Sequence, residues 1–201
     1  MAKRLFDLAA ASLALLLLSP LLLVVALWIK LDSPGPVFFR QRRTGRHGVP
    51  FDIHKFRSMV VNAPALGPAF TVGADPRITR AGQWLRHTRV DELPQLFDVL
   101  AGHMSLVGPR PELPEYVALY PPALRERVLS VRPGITDPAS LLFIDESAQL
   151  ARAADPQREY VEVIMPLKLQ CAADYAQSAG LWSDLGVLAR TLRLLWTRGG
   201  A

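Results

Sequence analysis

The stretch that decides the fold is "LALLLLSPLLLVVALWI", Leu13 to Ile29, which carries no charge. From Leu5 to Leu31 the only charged residues are Asp7 and Lys30. At about 1.5 Å per residue, a helix of this length can cross a bilayer core of about 30 Å. We therefore expect residues 1–32 to form a membrane-anchoring helix.

The middle of this segment contains a helix-breaking pair, Ser19-Pro20. Pro20 removes one backbone donor and clashes with the preceding turn, while Ser19 can bond back to a carbonyl. We expect a break or kink at this point. A cleaved signal peptide is disfavoured, because the apolar stretch is too long and no A-x-A-like site follows it.

Positive charge lies on both sides of the apolar segment, and the positive-inside rule therefore favours placing both ends in the cytoplasm. A reentrant helix, which enters one leaflet, turns at Ser19-Pro20 and returns, satisfies this rule. A single kinked helix that spans the bilayer remains the alternative. The flanking cations are Lys3 and Arg4 before the segment and Lys30, Arg40, Arg42 and Arg43 after it.

The composition combines apolar bulk with a basic excess. Half of the 201 residues are hydrophobic, and 23 Lys and Arg face 18 Asp and Glu, a net charge of +5. Such a chain suits anionic lipid, phosphorylated substrates or nucleic acid. Nucleic acid is disfavoured, since aromatic residues are only 8 % and no zinc-finger spacing, RNP-like run or basic heptad region occurs. The single cysteine, Cys171, excludes an internal disulfide.

We expect residues 33–201 to form one domain of α+β class, mainly α. "PVFF" (36–39) and "FDIHKF" (51–56) flank a Gly45/Gly48 turn and predict a small β-hairpin. Asn62 to Ala74 is rich in small residues, Pro and Gly and predicts a loop. "ITRAGQWLRHT" (78–88) and "PALRERVLSV" (122–131) predict short helices.

A further helix is predicted just after an acidic pair, Asp91 and Glu92. Its face consists of Leu93, Leu96, Phe97 and Leu100, at helical spacing, and Pro94 suits its first turn. In the C-terminal tail, apolar residues make one helical stripe, which fits an amphipathic helix in the membrane interface and equally a helix facing a protein core. That stripe is Leu181, Leu185, Leu188, Leu192 and Leu195, with Trp182 and Trp196 near its edge.

Basic residues recur in loop-like contexts rich in Pro and Gly, where binding residues are common. The planar fork of arginine suits phosphate, so several converging forks predict a diphosphate site. The alternative is that each is a surface charge or a carboxylate partner; Arg110 is the exception, since Pro109 and Pro111 fix its backbone. The candidate phosphate-binding cations are Lys55, Arg57, Arg77, Arg86, Arg110 and Arg132.

In such a basic pocket we expect Asp91 and Glu92 to take part in the chemistry. Carboxylates facing a diphosphate need metal and arginines to neutralise the phosphates, which predicts Mg²⁺ at this pair. One carboxylate could then attack phosphorus while the other holds metal or orients the group. The alternative is an ordinary acidic cap before a helix. The four histidines, His47, His54, His87 and His103, show no metal-site spacing.

The order of four motifs closely resembles the bacterial sugar transferase family, the small monotopic polyprenyl-phosphate phosphoglycosyl transferases. The motifs are "GPVFFRQRRTGRHGVPFDIHKFRSM", "DPRITRAGQWLR", "DELPQLFDVLAGHMSLVGPRP" and "RPGIT". The resemblance covers almost the whole chain and implies that residues 33–201 are its catalytic domain. It implies a reentrant helix broken at Ser19-Pro20, interfacial helices around the active site, and the cytoplasmic face of the bacterial inner membrane.

The resemblance also implies the reaction. Asp91 would attack the β-phosphate of a UDP-sugar, UMP would leave, and polyprenyl (undecaprenyl) phosphate would take the phosphosugar from the enzyme, which starts a lipid-linked glycan. Glu92 completes the dyad beside Mg²⁺, and Lys55, Arg57 and Arg110 fall on expected phosphate- or substrate-binding positions. The implied form is the minimal catalytic one, with no counterpart of the transmembrane bundle and nucleotide-fold module of larger relatives. A homodimer is possible.

The sequence departs from the usual family pattern at three places: the pair Arg89 and Val90, His103, and Asp137. Of these residues, Arg89 and His103 leave the donor sugar and the local charge open. Two rivals also remain at this stage: a metal-dependent membrane phosphohydrolase that uses water as acceptor, and a non-catalytic membrane adaptor with a basic face.

Overall fold

The computed structural model of the protein describes residues 1–68 and 70–199. The fold is mainly helical with two small two-stranded sheets, so the predicted α+β, mainly α, class is confirmed. Residues 69, 200 and 201, which the predicted catalytic domain includes, lie outside the described residues. The elements are α1 Ala2–Asp32, β1 Phe38–Thr44, β2 Pro50–Phe56, α2 Ala63–Leu66, α3 Arg80–Thr88, α4 Gln95–Ala101, β3 Ser105–Val107, α5 Pro114–Val117, α6 Pro122–Leu129, β4 Gly134–Thr136, α7 Pro138–Leu142, α8 Glu146–Arg152, α9 Pro156–Glu159, α10 Met165–Ser178 and α11 Leu181–Gly199.

Helix α1 runs through Pro20 without a break in its helical assignment. Pro20 has no N–H, so the carbonyl of Leu16, four residues earlier, loses its usual partner. Ser19 Oγ donates to that same carbonyl at 2.8 Å. The Ser-Pro pair therefore repairs its own hydrogen-bond defect, which matters in lipid because no water is there to do so. The predicted reentrant break stays a prediction.

Both ends of α1 are fixed to the rest of the chain. Near its N-terminus, Arg4 donates to the carbonyl of Val99 at 2.8 Å, and the buried Asp7 accepts from Ser105 Oγ at 2.8 Å. At its C-terminus, Asp32 accepts from the backbone N–H of Ala81 at 3.0 Å. Between these ends, many leucine side chains are exposed, and Leu16 is 71 % exposed. Among the described residues α1 is the one helix long and apolar enough to cross a membrane.

Strands β1 and β2 form the predicted hairpin and pair antiparallel. Phe51 and Ile53 of β2 pack in one cluster with Ala11 of α1 and with Leu96 and Val99 of α4. The hairpin is thus held between the anchor helix and α4. Lys55 follows Ile53 by two residues, so strand alternation places it on the same face of β2 as this cluster.

Helix α3 ends one residue before a left-handed turn. Thr79 caps its start, since its side chain accepts from the backbone N–H of Gly82 at 3.0 Å. Arg89, with φ of 60°, closes the end and redirects the chain into a single 3₁₀ turn, Val90–Glu92. The turn leads through Pro94 into α4, so the acidic pair lies just ahead of a helix, as the sequence predicts.

Strands β3 and β4 are short, parallel and unusually close at two glycines. A Cβ on Gly134 would collide with the backbone of Gly108, and a Cβ on Gly108 would collide with the carbonyl of Arg132. Only glycine permits this approach, which brings the loop after β3 against the loop before β4. Pro109 O accepts from the N–H of Gly134 at 3.0 Å and joins the two loops.

The remaining helices match the sequence predictions in part. Helix α6 confirms the predicted helix at 122–131, and the loop at 62–74 contains a one-turn helix, α2, with Pro64 in its first turn. Helix α10 continues from a π-helical turn, Tyr160–Ile164. On α11, Val187 packs against Val107 and Tyr175, whereas other apolar side chains face outward. The most exposed of these are Trp182 at 84 %, Trp196 at 85 % and Leu192 at 66 %.

Candidate active site

The structure brings together Asp91, Glu92, Lys55 and Arg110. The 3₁₀ turn supplies both carboxylates, β2 supplies Lys55, and the loop after β3 supplies Arg110. Because adjacent residues point in different directions on a helical turn, the two carboxylates have different surroundings. This asymmetry separates their chemistry.

Glu92 is buried and bound by two cations. Lys55 Nζ donates to Oε1 at 2.7 Å, and the Arg110 guanidinium donates to Oε2 at 3.1 Å and also contacts Oε1. Burial alone would raise the pKa of Glu92, but Arg110 and Lys55 together hold it well below the usual value. The pKa of Arg110 is raised in turn, chiefly by Glu92, while burial lowers the pKa of Lys55. Glu92 is therefore a neutralised carboxylate that fixes two phosphate-type cations in place.

Asp91 is different, because its Oδ1 is buried without a hydrogen-bond partner among the described residues. The residue is 7 % exposed. Burial, followed by the negative charge of Glu92, raises the pKa of Asp91 to about 6, against the opposing charges of Lys55, Arg86 and Arg89. At neutral pH Asp91 is therefore mostly an ionised carboxylate, and its Oδ1 has no hydrogen-bond partner in the described part of the chain.

Arg110 is held rigidly by its neighbours. Its own N–H donates to Asp137 Oδ2 at 3.3 Å, and the carbonyl of Pro111 accepts from Arg43 at 3.2 Å. Pro109 is tied to Gly134 as described above. The backbone on both sides of Arg110 is thus fixed, which aims its guanidinium at Glu92.

Arg86 lies within electrostatic reach of the pair. Its Nε donates to Ser58 Oγ at 2.9 Å, and another guanidinium nitrogen donates to Thr71 Oγ1 at 2.6 Å. Burial lowers the pKa of Arg86, and the charge of Asp91 opposes that change. Hydroxyl partners are weakly held compared with carboxylates, so this guanidinium can exchange them for a phosphate.

The other three predicted phosphate-binding arginines have main-chain partners. Arg57 donates to the carbonyls of Ile29, Ser33 and Pro34 at the end of α1. Arg77 pairs with Asp75, at 2.6 Å for its shortest contact, and also donates to the carbonyls of Ala63, Pro68 and Phe70. Arg132 donates to the carbonyl of Gly102 at 2.9 Å. Phosphate binding by these three stays a prediction, and their donors here are engaged in fixing loops.

The residues present fit Mg²⁺ in part. The carboxylate of Asp91, whose Oδ1 has no hydrogen-bond partner among the described residues, offers hard oxygen ligands of the kind that Mg²⁺ prefers, together with substrate phosphate. Both oxygens of Glu92 are engaged by Lys55 and Arg110. Among the described residues no cluster of three His, Cys, Asp or Glu side chains could hold a metal by itself. A metal here would therefore depend on phosphate oxygens as well as on Asp91.

Sequence reasoning missed several residues that organise this site. Asp137, flagged only as a departure, accepts from Arg110 and also caps α7 through Ser140 at 2.7 Å. Glu112, directly after the Pro-Arg-Pro loop, accepts from Arg43 at 3.0 Å and from the Tyr160 hydroxyl at 2.6 Å. Two more buried polar residues, Gln95 and Asp98, were also missed. Their helical spacing could have indicated them, because they follow Asp91 by four and seven residues.

Of the described cavities, the larger does not include the carboxylate pair. It measures ≈ 350 Å³, is open, and is lined by residues of α5, α9 and the 62–74 loop. A second, of ≈ 20 Å³, lies against Pro109, Arg110 and Pro111. Charge and burial, rather than cavity size, therefore identify the site around Asp91.

Comparison with known proteins agrees with this arrangement. A family model described as bacterial sugar transferase matches residues 1–198. The chain belongs to the bacterial sugar transferase family. The match includes the anchor helix, the hairpin and the acidic pair, and so confirms the family resemblance drawn from the motifs.

Three relatives in this family carry names that state an activity. A protein of Aeromonas hydrophila, 40 % identical over 99 % of this chain, is named UDP-N-acetylgalactosamine-undecaprenyl-phosphate N-acetylgalactosaminephosphotransferase. One of Caulobacter vibrioides, also 40 % identical over 99 % of the chain, is named UDP-glucose:undecaprenyl-phosphate glucose-1-phosphate transferase. One of Komagataeibacter xylinus, 43 % identical over 95 % of the chain, is named undecaprenyl-phosphate glucose phosphotransferase.

The chain spans different shares of these relatives. It covers 44 % of the Aeromonas protein and 35 % of the Komagataeibacter protein, but 71 % of the Caulobacter protein. One name specifies N-acetylgalactosamine and the other two specify glucose, while all three include undecaprenyl phosphate.

Proposed function

We propose that the protein is a membrane-associated phosphoglycosyl transferase that moves a phosphosugar from a UDP-sugar to polyprenyl phosphate and releases UMP. The observation that carries this proposal is the buried Asp91 carboxylate, with one unpartnered oxygen, beside a Glu92 whose charge Lys55 and Arg110 neutralise. Family membership supports it, because the relatives' names agree on undecaprenyl phosphate as acceptor.

The chemistry proceeds in two displacements. An oxygen of Asp91 attacks the β-phosphorus of the UDP-sugar, the bond from that phosphorus to the bridging oxygen breaks, and UMP leaves with the electron pair. A phosphate oxygen of the lipid then attacks the same phosphorus, and Asp91 leaves as a carboxylate. The covalent aspartyl intermediate separates the two substrates in time, so one site serves both.

Lys55 and Arg110 act on the charge of the diphosphate. Each already faces a carboxylate, so a substrate phosphate meets cations that are positioned in advance and need little reorganisation. Arg86 adds a third cation once its hydroxyl partners yield to phosphate. Glu92 is the residue that keeps the first two in place when no substrate is bound.

Magnesium belongs to this proposal as a cofactor held by Asp91 together with the substrate diphosphate. When bound, it supplies neutralisation of the charge that develops on the phosphate oxygens. Glu92 joins the metal only if Lys55 or Arg110 moves to the substrate, since both of its oxygens are engaged here.

We further propose that α1 is reentrant and that the site lies at the cytoplasmic face of the bacterial inner membrane. A straight helix from Lys3 to Asp32 is about 44 Å long. Both ends nevertheless bond to one polar domain, through Arg4 with Val99 and through Asp32 with Ala81. A helix that crossed the bilayer would place these contacts on opposite faces, which that domain cannot reach through lipid. The exposed leucines around Ser19-Pro20 are then the part within the leaflet.

The function is tested with purified protein in lipid vesicles, Mg²⁺ and a panel of UDP-sugars, with and without undecaprenyl phosphate. We expect one sugar to give UMP and a lipid-linked phosphosugar, with continuous turnover only when the lipid is present. Steady production of free sugar phosphate without lipid would instead indicate a phosphohydrolase. Absence of UMP with every sugar, with binding to anionic vesicles unchanged by Asp91→Asn, would indicate an adaptor.

The membrane geometry is tested by cysteine labelling in a Cys171→Ser background, which removes the chain's one native thiol. One cysteine is placed at residue 2, the first residue of α1, and another at residue 40, beyond the C-terminal end of α1. We expect an impermeant reagent to label both from the cytoplasmic side. Labelling from opposite sides would contradict the reentrant arrangement.

A further inference from the structure

Gln95 is a buried polar residue that the structure leaves without a partner. It is 1 % exposed, and neither its amide nitrogen nor its amide oxygen has a hydrogen bond among the described residues. Buried side-chain amides in folded proteins are nearly always paired, because an unpaired one keeps the full cost of leaving water. A chain that places such an amide in the first turn of α4 therefore uses it in some other state.

Gln95 follows Asp91 by four residues in one nearly continuous helical stretch, the 3₁₀ turn Val90–Glu92 followed by α4. Leu93 and Pro94, which join the 3₁₀ turn to α4, have helical angles, with φ −56° and ψ −34° at Leu93 and φ −59° and ψ −17° at Pro94. Residues four apart on a helix have Cβ atoms about 5–6 Å apart, a spacing at which an amide and a carboxylate can bond. Asp91 Oδ1 is an acceptor without a donor, and the Gln95 amide is a donor without an acceptor.

Nearby carboxylates do not compete for this amide. Asp98, three residues further on the same face, accepts from the backbone N–H of His54 at 2.9 Å and contacts its Nδ1 at 2.7 Å. Glu92 is engaged by Lys55 and Arg110. Of the three acidic residues in this turn and α4, Asp91 is thus the one with an oxygen left open.

We propose that Gln95 is a positioning residue for the nucleophile: its amide N–H donates to Asp91 Oδ1 in the reacting state and leaves Oδ2 to attack phosphorus. This rests on the proposed function. In this proposal a change of side-chain rotamer joins the two groups while the backbone stays in place. The bond fixes which oxygen of the carboxylate faces the substrate.

The same bond serves both displacements. When Oδ2 forms its bond to the β-phosphorus and UMP leaves with the electron pair of the broken bond, Oδ1 becomes the carbonyl oxygen of the acyl phosphate and still accepts from Gln95. When the lipid phosphate attacks, the bond from phosphorus to Oδ2 breaks and negative charge returns to the carboxylate. An N–H directed at Oδ1 then stabilises that departing charge.

The test replaces the amide at nearly constant volume with Gln95→Met. We expect single-turnover UMP release at saturating UDP-sugar to fall about 10- to 100-fold. The KM for UDP-sugar should stay the same, because Gln95 acts through Asp91 and not on the substrate. The midpoint of thermal unfolding should stay the same or rise, because an unpaired buried amide has been removed.

The matched control is Gln83→Met, the same replacement at an exposed residue of α3, which should leave both rate and stability unchanged. Gln95→Leu provides a second apolar variant. Wild-type rate in Gln95→Met, or loss of the folded state in both Gln95 variants, would overturn the assignment. Full recovery of the Gln95→Met rate at higher Mg²⁺ concentration would also overturn the assignment, because it would indicate that Gln95 binds the metal. If the wild-type protein itself releases no UMP, the proposed function fails instead.

Discussion

Lys55 and Arg57 are two residues apart, yet they belong to regions that differ in kind. Lys55 binds the carboxylate of Glu92, whereas Arg57 binds three main-chain carbonyls at the end of α1. A cation on a carboxylate can share that partner with an incoming phosphate at little cost. A cation that satisfies carbonyls cannot leave without orphaning them. In the proposed function, the dyad region (Asp91 and Glu92 with Lys55 and Arg110) therefore carries the chemistry. The anchor base, Arg57 with the carbonyls of Ile29, Ser33 and Pro34, stabilises the fold.

The largest effect should come from Asp91→Asn, which keeps the size of the nucleophile and removes its reactivity. We expect UMP release and lipid product to fall by at least about 10³-fold, measured as rates per folded molecule. Membrane association should be unchanged, because α1 is untouched. An Asp91→Asn protein with more than a tenth of wild-type activity would place the chemistry elsewhere.

Next in size is Arg110→Gln, which sharpens the contrast between the two regions. Loss of a preorganised cation facing the diphosphate should reduce kcat/KM about 10²-fold. Its side chain is 31 % exposed, so the cost in stability should be smaller than for a fully buried cation. The measurement is steady-state kinetics together with thermal unfolding. Unchanged kinetics would assign Arg110 to the scaffold.

Arg57→Gln is the matched change in the anchor base. Removing the donors to the carbonyls of Ile29, Ser33 and Pro34 should lower the free energy of unfolding by about 1–3 kcal/mol. The activity of the remaining folded protein should stay within about twofold of wild type. Denaturant unfolding and activity titration measure the two effects. A large loss of kcat with normal stability would instead place Arg57 on the substrate.

The pH profile tests the electrostatics of the dyad. Because the pKa of Asp91 is raised to about 6, activity should fall about tenfold for each pH unit below 6, and not only below 4. Glu92→Gln removes a negative charge that raises the pKa of Asp91 and leaves Lys55 and Arg110 without their carboxylate partner. The variant should be less active, and the pH at which its activity falls on the acidic side should be lower than in the wild type. An acidic limb that stays in place would mean that another group controls it.

The same pKa has a consequence for stability with a definite sign. A carboxyl whose pKa is raised by folding favours the fold when protonated, so this contribution is fully present below the ordinary value of 3.8 and is lost as pH rises through about 6. The stability of Asp91→Asn relative to wild type should thus increase from pH 4 to pH 7, by on the order of 2–3 kcal/mol. A constant difference across this range would contradict the shift.

The smallest effect should come from the exposed tryptophans of α11. Trp182→Ala with Trp196→Ala should weaken partition of the protein into anionic vesicles several-fold, because amphipathic rings favour the interface. The anchor helix should keep most of the protein bound. No change in vesicle binding would remove α11 from the interfacial surface.

The sequence predicts the position of the dyad because local signals agree there. Pro94 and the apolar spacing from Leu93 to Leu100 define a helix start, and the acidic pair precedes it. The hairpin follows similarly from alternating strands around a glycine turn. Such features depend on neighbours within about ten residues, so a single sequence contains enough information to place them.

The partners of the arginines could not be predicted in this way. Nothing in the sequence around Arg57 shows that its acceptors are carbonyls at the end of α1, and Arg77, besides pairing with the nearby Asp75, donates to carbonyls that the 62–74 loop brings to it. A carbonyl occurs at every residue, so no pattern of letters marks it as a partner. The organising roles of Glu112 and Asp137 escape for the same reason, since each depends on contacts over more than 20 residues.

The most direct test of the account is intact-protein mass spectrometry of the wild-type protein after incubation with UDP-sugars and Mg²⁺ in the absence of lipid phosphate. The account predicts a mass gain equal to one phosphosugar, located on Asp91 by peptide mapping and removed when undecaprenyl phosphate is added. Lipid product formed at full rate without any such adduct, or the same adduct in Asp91→Asn, would contradict it.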